Sequence, residues 1–211
     1  MSSFVIPECD MFYRMIRITR TGRDTPGSRR LALRNFEVFG RLLEGDNEVI
    51  VNLDQERPLN GVIQFLGDEC GGNVCGKDVV YVMGNAEAYG SVWYATDQSS
   101  GSYISVDEPD QWLILDFKCF RVSPTGYLVQ SWNLRSLVIE ASDDGLEWTE
   151  IDRREDVSYS VLRFEPCTFE IGDVCDFHRW FRMRQIRSNW DWDNKLWVRR
   201  FDLFGRVDPP I

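Results

Sequence analysis

The amino-acid sequence predicts an all-β protein, an antiparallel β-sandwich or jelly roll, and three observations carry that prediction. Apolar runs are short and are interrupted by turn residues about every 8 to 15 positions, the spacing of a sandwich and not of a helical bundle. One pair of runs is joined by Asp143-Asp144-Gly145, a hairpin signal. The 211 residues include 8 Trp and 13 Phe, enough aromatic volume for a large core.

Taken in order, the elements follow from spacing. In Gly61-Val-Ile-Gln-Phe-Leu66, Val62, Phe65 and Leu66 sit at helical intervals, which predicts one or two turns ahead of the first core strand. Trp112-Leu-Ile-Leu-Asp-Phe117 is a nearly continuous apolar run, as in a strand covered on both faces. Leu137, Ile139 and Ala141 alternate with Val138, Glu140 and Ser142 before the turn, and Trp148 and Ile151 resume after it, so this stretch reads as a hairpin. Phe181-Arg-Met-Arg-Gln-Ile186 places Arg182 and Arg184 on one side and Met183 on the other. Leu196 to Phe204 forms the closing strand.

The chain also repeats itself. An offset of 165 positions places Phe4, Ile6, Phe12, Arg14 and Arg17 on Phe169, Ile171, Phe177, Arg179 and Arg182 without a gap. The same offset places Leu31, Arg34, Phe36, Phe39, Gly40 and Arg41 on Leu196, Arg199, Phe201, Phe204, Gly205 and Arg206. A period this long marks a duplicated domain and not a solenoid. The expected organisation is therefore the C-terminal strands of a preceding copy at 1–42, a polar linker at 43–57, and a complete domain at 58–207. An isolated fragment of strands is marginal in water, so residues 1–42 are expected to pair with something, self-association included.

Composition excludes several functions. The net charge of −10 opposes binding to phosphate backbones, so a nucleic-acid partner is not expected, and it also opposes attraction to anionic lipid. A single histidine, His178, rules out zinc sites with two or more His ligands and the H-E-x-x-H metalloproteases. The nucleophile elbow, the dinucleotide fingerprint and the phosphate loop are all missing, so no catalytic residue, metal or cofactor is expected. His178 reads as an ordinary residue at a strand entrance. The N-terminus has no signal-peptide pattern, and the six cysteines therefore read as reduced thiols in a cytoplasmic protein. Cys70 and Cys75 have the wrong spacing for a zinc knuckle.

The ordered motifs Gly61-Val-Ile-Gln-Phe-Leu, Gly71-Gly-Asn-Val, Gln111-Trp-Leu-Ile-Leu-Asp-Phe-Lys118, Val122-Ser-Pro-Thr-Gly-Tyr127, Leu137 to Trp148, Phe181-Arg-Met-Arg-Gln, Asn189 and Phe201-Asp-Leu-Phe-Gly205 resemble the coagulation factor 5/8 type C, or discoidin, domain. This is a galactose-binding-like fold, and the likeness is to the intracellular branch found beside BTB domains. Phe12 to Gly22 and Phe36 to Gly40 resemble the same family's C-terminal motif. The resemblance implies a jelly-roll binding module. It departs from secreted members in having no cysteine pair at the domain ends, and from lipid-binding members in its loop Asn85 to Ser102, which carries Tyr89, Trp93 and Tyr94 with Glu87 and Asp97 but no Lys or Arg. Membrane insertion is therefore not expected.

Candidate binding residues are those whose chemistry exceeds what packing needs. Trp190-Asp191-Trp192-Asp193-Asn194 interleaves indoles with acids, a pattern suited to sealing the sandwich end, gripping a basic peptide or stacking on a sugar, and too poor in oxygens for calcium. Trp93 and Tyr94 are candidates in the other loop, and Arg182 and Arg184 are either salt-bridged surface residues or carboxylate binders. Trp112 and Trp148 read as core or core-edge residues. The expected function is a non-catalytic module that recognises a protein partner as an adaptor or scaffold part. The alternatives are a carbohydrate-binding module and a structural component of a cytoskeletal or ciliary assembly.

Overall fold

Along Trp180–Gln185 burial alternates strictly, with Phe181, Met183 and Gln185 inside and Arg182 and Arg184 outside, so this strand has one face for a core and one for its surroundings. The same logic organises the whole domain. The computed structural model describes residues 48–54, 56–97, 100–158, 163–173 and 175–208. In chain order these form β1 (Val49–Val51), α1 (Val62–Cys70), β2 (Tyr81–Gly84), β3 (Glu87–Tyr89), a 3₁₀ turn (Val92–Thr96), β4 (Tyr103–Ser105), β5 (Trp112–Asp116) and β6 (Arg121–Ser131). There follow β7 (Leu137–Ser142), β8 (Thr149–Arg154), β9 (Cys167–Glu170), β10 (Trp180–Gln185) and β11 (Trp197–Asp208).

The strands make two antiparallel sheets, one in the order β3-β4-β11-β6-β9 with β1 also on β11, the other in the order β2-β5-β10-β7-β8. The expected sandwich is the observed one. Leu113, Leu115, Phe181, Met183, Leu137 and Ile139 from one sheet meet Tyr127, Val129, Phe201 and Leu203 from the other, all of them fully buried. Phe117 and Phe181 meet edge to face at 5.8 Å, the geometry their ring quadrupoles favour.

The predicted helical turns are α1, which ends at Gly71 in the left-handed region with φ of 69°. Its first turn is seated on the centre of β11. Asp202, fully buried, accepts from the backbone N–H of Ile63 at 2.8 Å, and Gly61 lies so close that a Cβ there would come within 2.4 Å of the Asp202 carboxyl carbon. Burial pushes the Asp202 carboxyl up to about 6, against the pull of those backbone donors and of Arg200. Arg200 Nη2, 3.9 Å from the Asp202 carboxylate, donates to Leu59 O and Gln64 Oε1.

Two features differ from expectation. Val49–Val51, inside the stretch expected as linker, pairs with Gly205, Arg206 and Val207 as β1; three β-formers suffice for an edge strand between polar neighbours. Trp112 and Trp148 are half-buried on the outer face of the second sheet, where Arg182 lies over the Trp148 ring at 4.2 Å. The proposed preceding copy at 1–42 lies outside the described residues.

Candidate ligand-binding site

Strand register gathers the loops. β10 finishes at Gln185 beside Leu137, β6 finishes at Ser131 beside Val198, and β4 lies beside Trp197. The segments 85–97, 100–111, 132–136, 155–158 and 186–196 therefore emerge together at one end of the sandwich. β1 and the last residues of β11 occupy the opposite end. Backbone bonds knit the loops to 132–136: Val157 N–H donates to Arg135 O at 2.8 Å, Ile186 N–H to Ser136 O at 3.1 Å, and Trp190 N–H to Asn133 O at 2.9 Å.

The 189–195 loop is built around one buried side chain. Asn189 Oδ1 accepts from the backbone of Asp191 at 3.0 Å and of Asp193 at 3.2 Å, while its Nδ2 donates to the Asp193 carboxylate and to Lys195 O. That is an amide using its donors and acceptor to write a turn. The turn forces Trp192 to a φ of 67°, a conformation a bulky residue adopts only under compulsion, and leaves its indole 78% exposed. Trp190 does the opposite: half-buried, it donates from Nε1 to Val157 O at 2.8 Å and seals the end. Between the two indoles lies the Arg135 guanidinium, 4.7 Å from the Trp190 ring centre and 5.7 Å from that of Trp192. Asp156 fixes Arg135 through Nε at 2.6 Å, and Arg187 bridges Glu155 and Asp156.

Asp191 is exposed but anchored, accepting from Asn133 Nδ2 at 2.6 Å. Asp107 reaches across from the 106–111 segment to accept from the Asn194 backbone at 2.8 Å. The result is an aromatic face ringed by carboxylates and a guanidinium, all preset by hydrogen bonds. Such a surface stacks against the C–H face of a ring or chain and exchanges hydrogen bonds at the rim.

Other candidates fall elsewhere. Trp93 and Tyr94 stand in the 3₁₀ turn at the same end, Trp93 half-exposed and Tyr94 packed flat on Gly101, whose Cβ would lie 2.6 Å from the ring. Tyr89, on the edge strand β3, adds a third exposed aromatic there. Arg182 and Arg184 do not join the loop end. Both sit on the outer face of β10 and hold Glu140, Arg182 at 2.6 Å and Arg184 at 3.2 Å. Burial raises the Glu140 carboxyl, and the two guanidiniums more than reverse this, leaving it below the ordinary value. Asn189, Arg135, Asn133 and Asp107 are the contributors that the candidate list missed. Nothing local ties Arg135 to residues more than fifty positions away; only strand register does.

His178 is at the far end, its Nδ1 3.4 Å from Asp143. Among the described residues no group of three or more His, Cys, Asp or Glu is arranged to hold a metal ion, and no helix is long and apolar enough to cross a membrane. A hollow of about 420 Å³ between α1 and the 3₁₀ turn is lined by Gln64, Asp68, Asn73, Val74, Thr96 and Asp97; none of the candidate residues reaches it.

No family model matches the sequence. No curated protein matches it either. Solved structures do. The module CpGH89CBM32-5 from Clostridium perfringens, in complex with GalNAc-β-1,3-galactose, superposes with a TM-score of 0.50 at 10% identity over 61% of this chain and 96% of its own. CBM32-3 from a family 31 glycoside hydrolase of the same organism gives 0.52 at 14% identity over 61% and 92%. A family 89 glycoside hydrolase from C. perfringens gives 0.50 at 17% identity over 61% of this chain, but only 14% of the hydrolase is matched. The likeness is one of fold: an antiparallel β-sandwich of two sheets.

Proposed function

We propose that this domain is a non-catalytic binding module that takes carbohydrate at its loop end, with Trp192 as the stacking platform. The observation that carries the reading is the combination at Trp192: an indole 78% exposed on a turn held at φ of 67°. Residues held in the left-handed region cluster at ligand sites, and here the strained residue is also the most exposed of the aromatics named at this end. Asp191 and the Arg135 guanidinium beside the ring supply an acceptor and a donor for hydroxyl groups. Two of the similar structures are named as carbohydrate-binding modules, one of them solved with GalNAc-β-1,3-galactose, which supports this ligand class.

A second reading, recognition of a protein surface, is favoured by Tyr89 and Trp93, which are exposed at the same end and extend the aromatic area beyond one sugar footprint. A glycan array followed by calorimetry with galactose and N-acetylgalactosamine tests the first reading. It expects binding by the wild type and none by Trp192→Ala. Silence of every glycan on the array at millimolar concentrations, with the protein folded, would leave the second.

A further inference from the structure

The outer face of the first sheet carries an aromatic patch that is separate from the Trp192 surface. Ser131 and Val198 are register partners and point inward, fully buried. Their neighbours Trp132 and Trp197 therefore lie side by side on the opposite face. Ile104 flanks Trp197, and Arg163 pairs with Trp132 on the other side. Phe164 completes the patch, its ring centre 5.5 Å from those of both tryptophans, which are 6.0 Å from each other.

Backbone bonds hold the patch in place. Trp132 N–H donates to Trp197 O at 3.1 Å and Phe164 N–H to Ser131 O at 3.0 Å, while Gln130 Nε2 donates to Phe164 O at 3.1 Å. Two irregularities aim its members. Phe164 has a φ of 63°, a costly conformation for a bulky residue. Arg199 falls where the ladder register shifts between Val198 and Arg200, and such breaks redirect side chains. Its guanidinium lies 4.0 Å over the Phe164 ring, and that of Arg163 lies 5.2 Å over Trp132.

Charge singles out Arg199. Every described arginine outside the patch has a carboxylate within 3.9 Å. Arg199 has none among the described residues, and its Nε and the Trp197 Nε1 are buried without a hydrogen-bond partner. A guanidinium stacked on a ring keeps its in-plane N–H groups for a ligand, and their fork matches a carboxylate. The net charge of −10 opposes a polyanion, so the fitting ligand has an isolated acid and not an acidic run or a phosphate chain. Around that acid, Trp and Arg are the residue types that dominate the energetics of protein–protein contacts.

We propose that this patch docks a peptide segment of a partner protein, taking one carboxylate on Arg199 and an adjacent apolar side chain on Trp132 and Trp197. The carbohydrate site at Trp192 and this patch share no residue, so either can fail without the other.

Phage display of random short peptides on the full chain supplies the probe, and the selected peptide is then titrated in synthetic form. Enriched sequences are expected to share one Asp or Glu beside an aliphatic or aromatic residue. In ¹⁵N–¹H spectra the peptide should shift the indole N–H signals of Trp132 and Trp197 and leave that of Trp192 in place. Changing the peptide's acid to the amide should weaken binding at least about tenfold, as should Arg199→Gln, whereas Trp192→Ala should not. Arg199→Lys keeps the charge without the fork and gives a milder variant, also expected to bind more weakly, if Arg199→Gln does not fold. Failure to enrich any peptide, an affinity indifferent to the acid or to the Arg199 variants, or shifts that spare both patch indoles would overturn the proposal. Silence of every sugar would overturn only the carbohydrate site.

Discussion

The backbone N–H of Trp192 donates to the carbonyl oxygen of Asn189 at 3.1 Å, closing the turn that presents an exposed indole at the loop end. One buried amide thereby sets the direction of the ring proposed to meet ligand. The two tryptophans of this loop consequently have different jobs.

Trp192→Ala is expected to leave thermal stability within about 0.5 kcal/mol of wild type, as exposed substitutions do, and to weaken sugar binding at least about tenfold. Trp190→Ala is expected to cost on the order of 3 kcal/mol of stability, since it removes a half-buried ring and strands Val157 O. Paired melting curves and calorimetry check this; equal melting losses for the two variants would contradict the division.

Asn189→Ala should lower both stability and affinity. Its side chain makes contacts with Asp191, Asp193 and Lys195, and losing them is expected to cost about 2 to 3 kcal/mol. Melting curves and calorimetry with N-acetylgalactosamine are the readout, and an unchanged melting temperature and affinity would contradict it.

Asp202 should make the domain respond to acid in an unusual direction. Its folded value is raised from 3.8 to about 6, so the folded state holds the extra proton. The corresponding stability is fully present below the unfolded value and is lost as pH rises through the folded one. Relative to Asp202→Asn, the wild type is therefore expected to gain a few kcal/mol between pH 7 and pH 4. Denaturant unfolding of both proteins across that range checks it, and a constant difference would count against the account.

Glu140 has the opposite sign. Its folded value lies below the ordinary glutamate value of 4.5, so its contribution is present above that pH and fades as pH falls through the lowered value. Glu140→Ala leaves Arg182 and Arg184 on the sheet without their shared acid, with Asp110 3.8 Å from Arg184. A loss of about 3 kcal/mol at pH 7 is expected, shrinking in urea titrations as pH falls below 4.5.

The sandwich was legible in the sequence because alternation is a local property: Phe181 and Met183 against Arg182 and Arg184 give the inner face of β10 without reference to any other strand. The hairpin of β7 and β8 was legible for the same reason, through Asp143-Asp144-Gly145. β1 escaped because Val49–Val51 is too short to show a period. The site was half legible. Trp192 and Asp191 announced themselves by composition, but Arg135 and Asp107 reach the loop only through the order of strands in two sheets, which no local pattern encodes. Arg182 and Arg184 had the chemistry of a binding pair, and the structure gives them Glu140, a partner across the strand pair that their spacing did not name.

The most direct measurement is a two-dimensional ¹⁵N–¹H titration of the protein with N-acetylgalactosamine and galactose up to about 10 mM, a range that detects millimolar dissociation constants. The account predicts saturable shifts concentrated on the Trp192 indole N–H and the backbone of Asp191, Asp193 and Arg135, lost in Trp192→Ala. Shifts confined to the opposite end around β1 and His178, or none with any sugar tested, would contradict it.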